Sequence, residues 1–473
     1  MIGKVMLSQL ARAIDAELIG NDRLLVGAVS IDTRSLKQGQ LFVALSGNNT
    51  DGHHYVRQAF DKGAAGCIVE KVQPVDQPQL LVKNVRQALL QTGRFNRNRF
   101  EGLLTGLTGS CGKTSVREML TTILKNAGST LAPINNYNND LGMPVTLSHL
   151  ESHHRYAVIE MGTSAPGDIA LLAQIARPHI SIITNAEMAH LEKLKSVEGV
   201  AKEKGAILDY LPAEGFAILN RDSRFFSEWT QRARQRTVRL ISFSLQDAGA
   251  DVFASDIAHS TTGTHCHLHF NNTTFPVQLS FYGHHQVANA CAATAAALAA
   301  NISPELIIKG LQEAQPFQQR GQCFKGFNGS TVIDESYNAN PASVRAAMDV
   351  LRSCQGQRIF VLGDMAELGD TTESAHRQVG EYAHRCGFEQ LLTYGHSSQL
   401  AAKCFGAEGK HFADKASLNH YLRSCLSADT TVLIKGSNSM KMHETVQVCT
   451  ETGKTQKTFL KPYRLSPIKR NLK

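Results

Sequence analysis

Residues 106–114 have the sequence Gly-Leu-Thr-Gly-Ser-Cys-Gly-Lys-Thr, and this stretch decides the fold class. Two apolar residues, Leu103 and Leu104, precede it. Apolar residues recur after it at helical spacing, at Val116, Met119, Leu120, Ile123 and Leu124. The pattern predicts a buried strand, a glycine-rich loop and a helix whose N-terminus faces the loop. Such a unit belongs to a parallel α/β sheet and binds phosphate through backbone N–H groups, so nucleotide binding is the first hypothesis.

The loop residues have separate predicted roles. Gly109 and Gly112 let backbone amides approach an anion. Lys113 can reach the terminal phosphates of a nucleotide, and the Thr114 hydroxyl can bind magnesium. Leu107 stands at the first glycine position of the usual G-x-x-x-x-G-K-[ST] pattern. An ordinary Gly-rich turn is the alternative, which the strand-loop-helix context disfavours. The predicted nucleotide-binding residues here are Thr108, Gly109, Ser110, Cys111, Gly112, Lys113 and Thr114.

Length, charge and cysteine usage limit the class of protein. A chain of 473 residues suggests about three domains of about 150 residues each. The net charge is +8, but residues 450–473 carry seven Lys or Arg against one Glu, so the rest of the chain is close to neutral. We therefore expect no nucleic-acid partner, and we interpret the basic tail as a solvated extension. Contact of that tail with an anionic lipid or polymer is the alternative.

We expect neither a secretory signal nor a membrane span. Charged residues within the first twenty positions, such as Lys4 and Asp15, exclude a secretory signal. The longest weakly polar stretch, residues 287–302, is mostly alanine and is interrupted by polar residues, which predicts a packed helix. The ten cysteines are scattered without a C-x-x-C pair, as expected for a reducing cytosol. We expect a cytoplasmic protein, and a monomer.

The distribution of strand-like and helical patterns along the chain predicts three α/β domains and a tail. Residues 1–83 show short β-like runs between Gly-rich turns, typical of a small mixed α/β domain. In residues 84–314, apolar strands alternate with helical stretches, which predicts a central P-loop ATPase-type domain with a parallel sheet. The alternation restarts in residues 315–450, which predicts a second, Rossmann-like α/β domain. Residues 451–473 form the basic tail.

Three polar residues in the central region are candidate metal or catalytic residues. Glu160 ends an apolar run, where a strand beside a phosphate loop commonly holds the metal of a nucleotide complex. His190 follows the next strand, although a lone histidine there is more often a loop or core residue. Lys204 lies on a helical pattern that enters the same region. Most lysines are solvated, but a lysine near magnesium and phosphate can have a lowered pKa.

Two further patterns carry polar residues on strands. His265, His267 and His269 alternate along a predicted strand and so share one face, which could bind zinc. Because Cys266 points the other way and no acid lies nearby, we interpret this as a polar strand face. Residues 334–341, Asp-Glu-Ser-Tyr-Asn-Ala-Asn-Pro, follow a short apolar strand and end at a proline suited to a first helical turn, with Asn340 as the predicted cap.

The segments described above resemble those of the Mur ligase family of bacterial cell-wall synthesis. The resemblance extends from about residue 30 to about residue 443. The T-G-x-x-G-K-T loop is similar to the family's short phosphate loop, without the early glycine. The string at residues 336–341 is similar to that of the members that act on D-alanyl-D-alanine. The other segments that carry the resemblance are residues 31–34, 41–44, 51–53, 135–144, 184–185, 189–192, 201–205, 283–289, 363–369 and 435–437.

The resemblance implies an ATP-dependent amide ligase. Such an enzyme phosphorylates the terminal carboxylate of UDP-N-acetylmuramoyl-tripeptide, and the amine of D-alanyl-D-alanine attacks the acyl phosphate. ATP, Mg²⁺ and these two peptides would be its ligands. By resemblance, Lys113, His190 and Lys204 are catalytic, and Lys204 matches a lysine that is carbamylated in the family. The implied magnesium ligands are Thr114, Glu160, His190 and Lys204.

The resemblance also assigns the remaining contacts. Besides the loop, the implied nucleotide-binding residues are Asn289, Arg320 and Asp334. The implied peptide-substrate residues are Thr33, Arg34, Asp51, Gly52, His53, Asn138, Asn139, Asp140, Tyr337, Asn338 and Asn340. Residues 162–168 lack the Asn and His that family members usually carry after the metal glutamate, so those contacts do not transfer. Further departures are Gln286, Gln319, Glu335 and Asn438.

Two rival functions remain open from the sequence. A related ligase, such as a folylpolyglutamate synthase or another Mur ligase, would share the phosphate loop and differ in the N-terminal domain and at residues 336–341. A nucleotide-switch or partner-binding protein would hydrolyse or exchange nucleotide without regard to amino-acid substrates.

Overall fold

The computed structural model describes residues 1–3, 5–47, 50–133, 136–260 and 263–450. Three α/β regions follow one another along this part of the chain, which confirms the predicted fold class. Among the helices of the described residues, none has both the length and the apolar character needed to cross a membrane. The basic tail, residues 451–473, and Asn135 of the family-like string lie outside the described residues.

The N-terminal region is a small mixed sheet with helices. Within the described residues, five strands form one sheet in the order β2-β7-β6-β5-β4, and β1 pairs with β3. Strands β4 to β7 are parallel, and β2 is antiparallel to β7. The elements are β1 (Val5–Met6), α1 (Leu7–Ala13), β2 (Glu17–Ile19), β3 (Leu25–Val26), β4 (Val29–Ser30), β5 (Leu41–Val43), α2 (Val56–Asp61), β6 (Gly66–Val69), β7 (Gln79–Leu81) and α3 (Val85–Arg97).

Helix α3 joins the N-terminal region to the central one. Its buried Leu89 belongs to the N-terminal apolar core, together with Val145 from the central region. The Asn96 side chain accepts a hydrogen bond from the Ile2 backbone at 2.8 Å and donates to the Leu147 carbonyl at 2.8 Å. The two regions are thus packed together through α3, while the domain boundary between residues 83 and 84 stays a prediction.

The central region contains a large mixed sheet. Nine strands of the described chain lie in the order β16-β15-β14-β13-β12-β11-β8-β10-β9. Helices α4, α10 and α11 bury one face of this sheet, and α6, α8 and α9 bury the other. The elements are β8 (Leu103–Thr108), α4 (Lys113–Ala127), β9 (Thr130–Leu131), α5 (Gly142–Ser148), β10 (Tyr156–Glu160), α6 (Asp168–Ala176), β11 (Ile180–Ile183), α7 (Leu191–Leu194), α8 (Val197–Gly205), β12 (Phe216–Asn220), α9 (Phe226–Arg234), β13 (Arg239–Ser244), β14 (Val252–Ser260), β15 (Gly263–Phe270), β16 (Thr273–Leu279), α10 (His284–Ala299) and α11 (Pro304–Glu313).

One end of the central sheet is antiparallel, unlike the parallel sheet that the strand-helix alternation predicts. Strands β9 to β14 pair in parallel, whereas β14, β15 and β16 form an antiparallel meander. Asn271 and Asn272 connect β15 to β16 with φ values of 51° and 56°, the backbone of a two-residue type I′ hairpin turn. Asparagine tolerates this left-handed conformation, so the Asn-Asn pair was a turn signal in the sequence.

The histidines of β15 form a polar face, as predicted, but an acid, Asp256, lies beside them, contrary to the expectation that none would be near. His267 Nδ1 lies 2.9 Å from Asp256 Oδ2, and His269 Nε2 lies 2.8 Å from the Ser255 hydroxyl, while Cys266 is buried on the other face. Across the residues that the structure describes, no three His, Cys, Asp or Glu side chains are grouped to hold a metal ion.

The C-terminal region is a second α/β sheet. In the described chain its strand order is β17-β18-β22-β19-β20-β21, with only the edge strand β17 antiparallel. Apolar clusters lie on both faces of this sheet, under helices. The elements are β17 (Gln322–Lys325), β18 (Thr331–Glu335), α12 (Pro341–Arg352), β19 (Gln357–Gly363), α13 (Thr372–Arg385), β20 (Gln390–Tyr394), α14 (Gln399–Phe405), β21 (Gly409–Phe412), α15 (Lys415–Cys425), β22 (Thr430–Lys435) and α16 (His443–Cys449).

Candidate active site

A cavity of about 640 Å³ lies between the central and C-terminal regions, beyond the carboxyl ends of β8, β10 and β18. Ligands of open α/β sheets bind at such strand ends. Fourteen of the sequence-predicted site residues line it: Ser110, Cys111, Gly112, Lys113, Asn138, Asn139, Asp140, Glu160, His190, Asn289, Arg320, Tyr337, Asn338 and Asn340. The structure thus brings the predicted phosphate loop and the 337–340 string into one site.

The phosphate loop connects β8 to α4 in a tightly packed conformation. Gly112 precedes α4 with φ of 83°, and a Cβ added there would overlap the Asn289 side chain. A Cβ at Gly109 would overlap the Thr184 hydroxyl. The loop is also held by hydrogen bonds, because the Cys111 backbone accepts from Thr184 Oγ1 at 2.6 Å. Glycine is therefore required at both positions for this loop to form.

Lys113 is the cation of the loop. Its Nζ donates to the Gly109 carbonyl at 2.6 Å. Burial lowers the pKa of Lys113, and the negative charge of Glu160 partly opposes that shift. An ammonium group that donates to a loop carbonyl at the wall of a polar cavity can move to a phosphate oxygen when one is present.

Glu160 ends β10 and is almost fully buried, with 1% of its side chain exposed. Its Oε2 accepts from Thr114 Oγ1 at 3.2 Å and from Arg117 Nη1 at 3.1 Å, and its Oε1 accepts from Asn138 Nδ2 at 2.9 Å. Burial opposes ionisation, but Arg117 and then Lys113 outweigh it, and the pKa of Glu160 lies below its ordinary value. Glu160 is therefore an ionised carboxylate at the cavity wall.

The chemistry of these residues fits a magnesium ion that is shared with a nucleotide. Mg²⁺ is usually bound by one or two carboxylates, a hydroxyl, waters and substrate phosphates, and not by an all-protein cage. Glu160 and Thr114 supply a carboxylate and a hydroxyl beside the phosphate loop. His190 also lines the cavity, and its Nδ1 lies 2.5 Å from Glu367 Oε2 of the C-terminal region.

Lys204 lies behind the cavity wall, near the end of α8. Only 1% of its surface is exposed, and burial is the main reason that its pKa lies well below the ordinary value. The positive charge of Lys113 lowers the pKa of Lys204 further. The environment thus makes the neutral amine, which is nucleophilic where an ammonium is not, more accessible than it is for a solvated lysine.

The C-terminal side of the cavity is built on the start of α12. Asn340 caps this helix, as predicted, because its Oδ1 accepts from the Ser343 backbone at 2.8 Å. The Asn340 amide also donates to Cys111 Sγ at 3.2 Å, so the phosphate loop touches the C-terminal region. The Arg320 guanidinium lies 4.0 Å from the centre of the Tyr337 ring.

Arg320 and Asp334 differ in their access to the cavity. Arg320 lines it, and its buried Nε has no hydrogen-bond partner among the described residues, as expected for a group whose partner is a ligand. Asp334 does not line the cavity. Its Oδ1 accepts from the Ser336 hydroxyl at 2.5 Å, and burial raises the pKa of its carboxyl group.

Five predicted substrate residues lie apart from the cavity lining, in the N-terminal region: Thr33, Arg34, Asp51, Gly52 and His53. Asp51 Oδ1 accepts from the His53 backbone at 3.0 Å and lies 2.7 Å from His53 Nδ1. Backbone and side-chain hydrogen bonds from His53 hold the pKa of Asp51 well below its ordinary value. The local loop is therefore ordered around an ionised carboxylate.

Sequence reasoning missed several charged residues of the site. Among the cavity-lining residues these are Arg86, Asp168, Glu187, Glu335 and Lys435. Two more, Arg117 and Glu367, contact the lining residues Glu160 and His190. Arg117 pairs with Glu160 and lies three residues after Thr114, on the same face of α4, so helical spacing could have indicated it. Glu367 contacts His190 across 177 residues of sequence, and no local pattern indicates that pairing.

Comparison with known proteins places the chain in a family. Residues 26–95 match the model "Mur ligase family, catalytic domain", residues 107–297 the "Mur ligase middle domain", and residues 319–438 the "Mur ligase, glutamate ligase domain". The chain is 38% identical to the UDP-N-acetylmuramoyl-tripeptide–D-alanyl-D-alanine ligase of Escherichia coli, over 95% of this chain and 99% of that protein.

Solved structures agree with this assignment. MurF from Acinetobacter baumannii superposes with a TM-score of 0.87 at 31% identity, over 94% of this chain and 98% of that one. MurF ligase from Thermotoga maritima, solved in complex with ADP, shares the fold with a TM-score of 0.78 at 23% identity, over 89% of this chain and 97% of that one. From the matched models, the sequence identity and the shared architecture, we conclude that this chain is a member of the Mur ligase family.

Proposed function

We propose that this chain is an ATP-dependent ligase that joins D-alanyl-D-alanine to UDP-N-acetylmuramoyl-tripeptide in peptidoglycan synthesis. The observation that carries the proposal is the single cavity in which the phosphate loop faces the 337–340 string. Relatives that carry this activity in their names are 38% to 31% identical over most of this chain. The reaction gives the UDP-linked pentapeptide, ADP and phosphate.

The loop residues take part in the first step of the reaction, in which ATP phosphorylates the tripeptide carboxylate. Backbone N–H groups of the loop and the start of α4 hold the phosphates of ATP, and Lys113 neutralises charge on them. The terminal phosphoryl group passes to the tripeptide carboxylate, which converts a poor electrophile into an acyl phosphate. Magnesium, when bound beside Glu160 and Thr114, supplies further charge neutralisation on the phosphates.

The C-terminal side of the cavity takes part in the second step, in which the dipeptide amine attacks the acyl phosphate. Tyr337, Asn338 and Asn340 line the C-terminal side of the cavity, where Asn340 contacts Cys111 of the loop, and they offer amide and hydroxyl groups to the incoming dipeptide. The amine of the dipeptide attacks the acyl carbon, loses a proton and expels phosphate. Holding the amine and the acyl phosphate together is itself a large part of such catalysis. The N-terminal residues Thr33, Arg34 and His53 are proposed to hold the distant uridine nucleotide.

Lys204 is proposed to react with carbon dioxide to form a carbamate. A neutral amine attacks CO₂, and the product loses a proton to become an anion. Burial and the positive charge of Lys113 both lower the pKa of Lys204, which makes the neutral amine more accessible. The same positive charge would stabilise the carbamate anion. The carbamate would then provide oxygen ligands for magnesium.

Omission of substrates tests this function. Phosphate release from ATP is measured with UDP-N-acetylmuramoyl-tripeptide and D-alanyl-D-alanine each left out in turn. We expect turnover only when both are present. Phosphate release that does not depend on the dipeptide would instead support a nucleotide switch, and turnover with another amino acid would support a related ligase. A monomeric state and a cytoplasmic location stay predictions.

A further inference from the structure

The central and C-terminal regions also meet at the start of α7, where His190 contacts Glu367. His190 Nδ1 lies 2.5 Å from Glu367 Oε2. The Glu192 backbone N–H donates to the Glu367 carbonyl at 3.3 Å. Gly369 packs close by, since a Cβ added to it would lie 3.4 Å from Glu192 Cα. Residues 367–369 of the C-terminal region therefore rest directly against the segment that carries His190.

The contact fixes which ring nitrogen of His190 carries hydrogen. A carboxylate can only accept a hydrogen bond, so Nδ1 must be the donor to Glu367. In a neutral imidazole the other nitrogen, Nε2, then carries the lone pair. Histidines that bind metal are commonly oriented in this way by a carboxylate on the second nitrogen. His190 itself lines the cavity.

The backbone at both residues is unusual. His190 has φ of 55° and Glu367 has φ of 62°, in the left-handed region that residues other than glycine seldom occupy. Such conformations persist where surrounding contacts hold them, and they are concentrated at functional sites. Here one residue in the left-handed conformation lies on each side of the contact between the central and C-terminal regions.

We propose that Glu367 is a positioning residue that prepares His190 to bind a divalent cation only when the C-terminal region is docked on the central one. This inference rests on the role of His190 in the proposed function. Because Glu367 belongs to the C-terminal region and His190 to the central region, cation affinity and docking are coupled. Cation binding and docking would therefore strengthen each other.

Manganese binding to the ADP-bound protein tests the inference without relying on activity. Mn²⁺ is titrated and followed by electron paramagnetic resonance for the wild type, Glu367→Ala, Glu367→Gln and the control Glu373→Gln. Glu373 lies on α13 of the same region, is largely exposed and pairs only weakly with Arg377 at 4.0 Å. We expect about tenfold weaker Mn²⁺ binding for Glu367→Ala and a smaller loss for Glu367→Gln, whose amide oxygen can still accept from Nδ1. The control should bind Mn²⁺ as the wild type does.

A second set of variants, made in a His190→Ala protein, distinguishes the positioning role of Glu367 from the metal-binding role of His190. In a His190→Ala protein, adding Glu367→Ala should cause no further loss of Mn²⁺ affinity, because Glu367 acts through the imidazole. Wild-type affinity in Glu367→Ala, or an equal loss in the His190→Ala background, would overturn the inference. If His190→Ala alone leaves Mn²⁺ binding unchanged, the proposed metal role of His190 fails first. Glu367→Leu, which keeps a bulky side chain without a hydrogen-bond acceptor, serves if the alanine variant does not fold.

Discussion

The buried ion pair between Arg117 and Glu160 gives a quantitative prediction. Only 2% of the Arg117 side chain and 1% of the Glu160 side chain are exposed. Removing one partner of a buried pair costs about 3 to 5 kcal/mol, because the other charge is left without compensation. In Arg117→Met, Glu160 keeps its hydrogen bonds from Asn138 and Thr114. We therefore expect the lower end, about 3 kcal/mol of lost stability in the central region.

A double-mutant cycle isolates the pair from the packing of Arg117. Glu160→Gln removes the charge that Arg117 compensates, so Arg117→Met should cost about 1 kcal/mol in that background, a coupling of about 2 kcal/mol. The residual cost covers the contact with Phe317 and the 2.7 Å ion pair with Glu118. Equal costs in both backgrounds would refute the electrostatic reasoning.

The assay can report on the central region alone. The chain has one tryptophan, Trp229, which is fully buried on α9 of that region. Urea unfolding followed by its fluorescence therefore gives the stability of the part that contains the pair. Since the folded-state pKa of Glu160 is lowered, its contribution is present above the unfolded pKa and is lost as pH falls through the folded pKa. The penalty of Arg117→Met should accordingly shrink in acid.

Three further predictions concern the nucleotide loop and Lys204. Lys113→Ala should abolish phosphate release and leave the Trp229 fluorescence unchanged, because the proposed role of Lys113 is charge neutralisation. Unchanged activity would contradict the assignment of this loop to the phosphates of ATP. Gly112→Ala should weaken ATP binding at least tenfold in equilibrium dialysis, because its Cβ would overlap Asn289. Gly167→Ala is the matched control, with a φ of 93° but no neighbour within 4 Å, and it should bind ATP normally. Lys204→Ala should lose activity, and formate or bicarbonate should partly restore it; absence of rescue in a folded variant would leave the carbamate without support.

The features that follow from short-range patterns were predictable. The strand-loop-helix around Lys113 is encoded within about twenty residues, and the cap at Asn340 follows from the Asn-Pro pair. The long alanine-rich stretch is helix α10, buried on all sides as its composition predicts. In each case the residues that determine the structure are neighbours in sequence.

The features that sequence reasoning missed depend on contacts between distant segments. The pairing of His190 with Glu367 joins two regions, and neither residue carries a local sign of the other. Arg117 looks like a surface cation on an amphipathic helix until β10 places Glu160 beside it. The antiparallel end of the central sheet was missed because Asn271 and Asn272 were not recognised as a hairpin turn. The cavity itself results from how the central and C-terminal regions pack.

The stoichiometry of the complete reaction tests the central claim most directly. The protein is incubated with ATP, magnesium, UDP-N-acetylmuramoyl-tripeptide and D-alanyl-D-alanine, and phosphate and the UDP-linked product are quantified together by colorimetry and mass spectrometry. We predict equal amounts of phosphate and of UDP-linked pentapeptide at every time point, because acyl transfer to the dipeptide consumes each acyl phosphate. Phosphate that accumulates without pentapeptide would contradict the assignment of one cavity to both halves of the reaction.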